Sequence, residues 1–113
     1  MISMIGNITT LRAVDFGDAG SPGGAKTWSS VASTSNEQTV TIPGLRLGLD
    51  MVFGVTKPTL QAGLGIAGAR ITADDTLGIT WIASGGTVTP TAGEKLTVLV
   101  ARLENTNNYS ALA

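Results

Sequence analysis

Three glycines, Gly63, Gly65 and Gly68, stand in the stretch QAGLGIAGARI with the spacing G-x-G-x-x-G. That spacing belongs to the phosphate turn of dinucleotide-binding units, where the backbone approaches a pyrophosphate at a helix N-terminus. The chemistry needs a strand before the turn, a helix after it, and an acidic residue about 20 positions on to hold the ribose. Here Gly68 is followed by ARITADDTLGITW, which alternates and turns as strand and hairpin rather than helix. Asp74 and Asp75 come too early for the ribose, and Glu94 lies beyond another strand. No nucleotide or other cofactor is expected. The glycines read instead as a loop that packs closely between strands, with Leu64 and Ile66 turned toward a core or a neighbour.

The adjacent carboxylates Asp74 and Asp75 would suit a hard cation such as calcium, or acid–base work, if both faced one site. Neighbours on a strand point to opposite faces, and at a turn both usually face water. ADDT between two alternating segments therefore reads as a hairpin tip in which aspartate bonds its own backbone, and no metal is expected. Trp28 and Trp81 are candidates for a platform that stacks on sugar rings. Trp81 continues the apolar alternation of Leu77 and Ile79, which favours a core anchor, whereas Trp28 beside a Gly-rich segment stays a candidate partner-binding residue. Arg70 is expected to pair with Asp50 or with an aspartate of the hairpin, a solvated ion pair worth about 0–1 kcal/mol. The chain has neither histidine nor cysteine, so Ser-His-Asp and Cys-His catalysis, thiolate chemistry and disulfides are excluded. An enzyme is not expected.

The elements that must carry these residues read as β throughout, since Gly, Thr, Ala, Val and Ile dominate and helix-surface residues are few. Ile5 to Phe16 has apolar spacing near three, but Gly6 and the Thr9-Thr10 pair favour a strand or extended arm. Gly17 to Lys26 is a long flexible loop of Gly, Ala, Ser, Pro and Asp. Thr27 to Thr34 and Glu37 to Gly44 read as two short strands, and Met51 to Lys57 as an apolar central strand stopped by Pro58. A hairpin joins Ala69 and Ile71 to the face Leu77, Ile79, Trp81 and Ala83. Gly85 to Gly93 is a loop, and Glu94 to Glu104 is the last strand, with Leu96, Val98, Val100 and Arg102 in alternation. The expectation is an all-β protein: an antiparallel β-sandwich or jelly-roll-like domain of about seven short strands, with an extended N-terminal arm. Residues 1–24 are assigned to the arm and Gly-rich loop, 25–104 to the sandwich, and 105–113 to a polar tail.

At 113 residues the chain holds one domain. Charged residues make up only 13% and nearly cancel at net −1, and the seven basic residues are scattered singly, so neither nucleic acid nor a membrane surface is an expected partner. MISMIGNI is too short and too polar for a signal peptide or a membrane span, and the protein is expected to be soluble. A surface of Thr, Ala and Gly with few charges is covered by a partner at little desolvation cost, which suits a binding or assembly role.

From Thr39 to Arg102 the motifs run in a particular order: TVTIPG, LRLGLD, an apolar strand ending in KPT, GLGI, ARITADDTL and TPTAGE. In this order the sequence resembles small structural proteins of tailed bacteriophages and prophages of the head decoration, or cement, type. The resemblance implies a non-enzymatic virion protein made in the host cytoplasm. It would bind the major capsid protein on the outer surface of the assembled head, as a trimer or dimer, and reinforce the head by bridging subunits. A tail or baseplate component, or a carbohydrate-binding module using Trp28 or Trp81, are the alternatives. The residues expected to touch the capsid are Ile2, Met4, Ile5 and Ile8 of the arm, Trp28, Leu64, Ile66 and Tyr109. The arm either orders on the partner or is a plain edge strand of the domain.

Overall fold

The computed structural model describes residues 8–32 and 36–103. Six strands follow in order: β1 (Ile8–Phe16), β2 (Asn36–Thr41), β3 (Asp50–Thr56), β4 (Leu64–Ala73), β5 (Thr76–Ala83) and β6 (Leu96–Leu103). They form two antiparallel three-stranded sheets, in the orders β1-β6-β3 and β2-β5-β4, with no helix among the described residues. The all-β expectation holds, with six strands rather than seven among these residues.

Period-two alternation sets which face of each sheet is dry. On β5 the buried set is Leu77, Ile79, Trp81 and Ala83, and on β6 it is Leu96, Val98 and Val100, as the sequence pattern predicts. Phe16 of β1, Val40 of β2 and Ile71 of β4 join them, so both sheets close on one core. The tight turn at Asp74-Asp75 joins β4 to β5: Ala73 pairs with Thr76 across it, and Asp75 takes a φ of 61°, a conformation that aspartate tolerates better than most residues.

Three elements differ from the sequence reading. The glycine stretch Leu64–Gly68 is not a loop but the first part of strand β4, which runs on through the expected hairpin residues Ala69 and Ile71, laddered to β5 from Leu64↔Ala83 to Ala73↔Thr76 with register shifts at Ala67 and Thr72. β3 is an edge strand rather than a central one, and the central strand of its sheet is β6. Among its described residues the segment after Thr27 forms no ladder, and its one bridge is the reciprocal backbone pair Val31–Val88 at 2.8 and 2.9 Å. Its buried residues, Trp28 and Val31, are three apart, which does not fit the period-two alternation of a laddered strand. Gly17 to Lys26 folds as consecutive turns, closed by the Lys26 amide donating to Gly17 O at 2.9 Å. Ile8–Phe16, placed in the arm above, pairs with β6 along its length and is the edge strand of the domain.

The two sides of the stack are closed differently. Between β1 and β2 runs the segment around Trp28, tied to the end of β1 through Gly17 and to β2 through the Gln38 amide, which bonds both the N–H and the carbonyl of Ser29. On the other side β3 and β4 lie against each other with no ladder between them. The inward side chains there, Val52 and Val55 of β3 and Leu64 and Ile66 of β4, are only half-buried.

Candidate partner-binding surface

The outer faces of the two sheets follow opposite rules. Over β2-β5-β4 the outward side chains are Glu37, Thr39 and Thr41, Thr80, Arg70 and Thr72, with one large apolar residue, Ile82, 44% exposed at the end of β5 beside Gly65. Arg70 crosses the central strand to Glu37 with two hydrogen bonds, Nε to Oε2 at 2.7 Å and Nη2 to Oε1 at 2.9 Å. It does so above Gly78, where an added Cβ would sit 2.9 Å from Glu37 Oε2. The partner of Arg70 is therefore Glu37, not Asp50 or the hairpin: β2 lies two strands from β4, and an Arg–Glu pair is long enough to span a glycine between them. The Arg70 hydrogen bonds hold the Glu37 carboxyl below its ordinary pKa.

Over β1-β6-β3 the outward side chains are apolar. Leu11 is 59% exposed, Met51 44%, Phe53 54% and Leu99 39%. The register Leu11↔Ala101↔Met51 and Ala13↔Leu99↔Gly54 makes two adjacent rows across all three strands, and Phe53 is the unpaired bulge residue between Val52 and Gly54. A bulge re-aims a side chain, and this one leaves an aromatic ring in solvent. Polar groups return only toward the other end of the sheet, where the Thr97 hydroxyl bonds Asp15 at 2.8 Å and Thr56 stands opposite. Three strands about 4.8 Å apart over about four residues give an apolar face of about 200 Å².

One end of this face is fixed by buried charge. The Asp50 side chain is 0% exposed and takes both hydrogen bonds of Arg102, Nε to Oδ1 at 2.8 Å and Nη2 to Oδ2 at 2.7 Å. It also accepts the Arg46 amide at 2.8 Å, with Arg12 Nη2 at 3.8 Å. The Arg102 hydrogen bonds, helped by that amide, outweigh burial and hold Asp50 below the usual carboxylate range. Arg102 further donates to Gly44 O at 3.0 Å, Asp75 accepts Gly44 N–H at 2.8 Å, and Asp74 accepts Leu47 N–H at 3.0 Å. The hairpin aspartates thus tie down the loop before β3, and no group of three metal-ligating side chains occurs among the described residues. The loop they hold presents Leu47 and Leu49 to solvent beside the sheet.

The sequence candidates are not brought together. Ile2, Met4, Ile5 and Tyr109 lie outside the described residues, and the Ile8 backbone pairs with Leu103. Trp28 is 3% exposed and packs edge-to-face on the fully buried Trp81, centroids 5.1 Å apart, so neither ring offers a face to a sugar or a partner. Leu64 and Ile66 line the β3/β4 side, away from the outer face of β1-β6-β3. The face residues Leu11, Met51, Phe53 and Leu99 were missed because apolar runs read as buried strands. The signal was present: MVF and VLVA are apolar at both parities, so both faces of these strands carry apolar side chains. No family model, curated protein or solved structure matches the chain.

Proposed function

We propose that this protein is a non-enzymatic virion component of the head decoration type, its two sheets stacked as a β-sandwich, that docks through the outer face of β1-β6-β3 onto the assembled capsid. The observation that carries the reading is that face itself: Leu11, Met51, Phe53 and Leu99 exposed together on one sheet, where the other outer face has the single exposed large apolar residue Ile82 among polar ones. The motif order from Thr39 to Arg102 supplies the virion setting. The magnitude fits a lattice ligand. A face of about 200 Å² is well short of the roughly 800 Å² per partner of a standard stable complex, so one contact holds weakly. Copies that each engage more than one capsid subunit, or each other, gain by effective concentration what a single contact lacks.

The test is co-sedimentation with empty phage heads, using the wild-type chain and Phe53→Asp. The wild type pellets in a fixed ratio to capsid subunits, and Phe53→Asp stays in the supernatant. Failure of the wild type to pellet with intact heads transfers the reading to a tail or baseplate component. The carbohydrate reading has lost its two indoles to the core and is not carried further.

A further inference from the structure

Met51 stands at the open margin of the outer apolar face. β3 is an edge strand, so no further strand of its sheet flanks Met51 on one side. On the other side its register neighbour is Ala101 of β6, which offers only a methyl group, and Met51 is 44% exposed. The backbone holds the side chain there. Asp50, the residue before it, is fixed inward by both hydrogen bonds of Arg102 and by the Arg46 amide, and strand alternation then sends Met51 outward. A thioether so placed meets dissolved oxidants directly. The chain has no cysteine to react in its stead, and of its three methionines Met1 and Met4 lie outside the described residues.

We propose that Met51 is a reversible oxidation site for hydrogen peroxide, and that its sulfoxide switches off the β1-β6-β3 face as a docking surface; the second half rests on the docking reading given above. In the forward step a sulfur lone pair attacks one peroxide oxygen, and the S–O bond forms as the O–O bond breaks. The departing hydroxide takes up the proton of the transferred oxygen and leaves as water. Sulfur is oxidised by two electrons and the peroxide is reduced. A methionine sulfoxide reductase reverses the step: two thiols are oxidised to a disulfide, and the sulfoxide oxygen leaves as water.

The position of the sulfur gives the new oxygen its effect. A sulfoxide is a polar hydrogen-bond acceptor, and the surrounding outward residues Leu11, Phe53, Leu99 and Ala101 carry no side-chain donor for it. An apolar partner surface laid over these rows takes the oxygen out of water without replacing its hydrogen bonds, a cost the thioether does not carry. The loss is about tenfold in affinity for each contact. In the free protein the sulfoxide stays in solvent at an exposed strand position, so the fold is kept.

The test treats the full chain with hydrogen peroxide and follows three readouts: peptide mass spectrometry, retention on a hydrophobic-interaction column, and pelleting with empty phage heads. Met51 gains one oxygen atom, the oxidised chain elutes earlier with its urea midpoint kept, and pelleting falls by about tenfold or more. Methionine sulfoxide reductase with dithiothreitol restores both retention and pelleting. Met51→Leu, given the same treatment, keeps its own untreated retention and pelleting, whatever happens at Met1 and Met4. Untreated Met51→Gln behaves as the oxidised wild type. Met51 left unmodified under conditions that fully oxidise free methionine overturns the site. Undiminished pelleting of the chain oxidised at Met51, or an equal loss in Met51→Leu, overturns the switch. Failure of the untreated wild type to pellet overturns the docking reading and the switch with it, and the site is then decided by mass and retention alone.

Discussion

The two outer faces of this protein are made by the same device, a three-stranded antiparallel sheet with a buried inner side, yet one is mostly polar and the other mostly apolar. Over β2-β5-β4 the outward positions are threonines, an Arg70–Glu37 pair and one exposed aliphatic residue, Ile82; over β1-β6-β3 they include Leu11, Met51, Phe53 and Leu99. Folding does not require the second pattern, since the first sheet buries Leu77, Ile79 and Trp81 without it. The exposed apolar cluster concentrated on β1-β6-β3 is the surface proposed above for docking. The same contrast separates rigid from adaptable support. The polar face rests on a solvated ion pair, whereas the apolar one is anchored at the start of β3 by an Asp50 carboxylate held at 0% exposure between Arg102 and the Arg46 amide.

The largest effect expected follows from making the two faces alike. With Leu11, Met51 and Leu99 all changed to Ser, heads mixed with the protein rupture at the temperature of bare heads, while heads carrying the wild type survive to a higher one; scanning fluorimetry of DNA dye uptake reads the difference. The variant itself unfolds within about 0.5 kcal/mol per site of the wild type, because surface substitutions away from special features cost little. The anchor comes next. Asp50→Asn leaves Arg102 facing a neutral amide and lowers stability in urea by about 1.5–3 kcal/mol, the range for hydrogen bonds to charged groups.

The pH dependence of stability is smaller and has a definite sign. Asp50 is held below its ordinary pKa by the Arg102 hydrogen bonds. Burial pushes Glu94 up, but the hydrogen bonds from Lys57 and Thr59 together prevail and leave it lowered. A carboxylate with a depressed folded-state pKa contributes its full stability above its unfolded pKa, about 3.9 for Asp and 4.3 for Glu, and loses it as pH falls through the folded value. Unfolding midpoints should thus be level from neutral pH to about 5 and fall steeply below about 4. Asp50→Asn flattens that acid limb, and an unchanged limb in the variant removes Asp50 from the account. The smallest effect belongs to the polar face: Arg70→Gln, at an exposed ion pair, leaves the urea midpoint and head binding unchanged within error.

Much of the inward half of this structure was legible in the sequence. Alternation alone placed Leu77, Ile79, Trp81 and Ala83 on one face, Leu96, Val98 and Val100 on another, and ADDT at a hairpin tip. The glycines of β4 were read as a loop because glycine weakens a strand on its own account. What holds β4 in its ladder is the full-length pairing with β5, a tertiary effect that no local propensity encodes. The strand expected after Thr27 failed for the converse reason, since Trp28 and Val31 look strand-like but fill the gap beside β2. The Glu37–Arg70 and Asp50–Arg102 pairs join residues 33 and 52 apart, and only the strand order brings them together. The outer apolar face was missed because β3 was taken as central. An apolar run reads the same whether its second face meets a covering layer or open solvent.

The most direct test of the docking face is hydroxyl-radical footprinting of the protein bound to empty heads, compared with the protein alone. Met51, Phe53, Leu11 and Leu99 should lose reactivity on heads, while Leu60 and the threonines over β2-β5-β4 keep theirs. Protection confined to the polar face, or equal reactivity of Met51 and Phe53 in the free and bound protein, would contradict the assignment of the β1-β6-β3 surface as the contact.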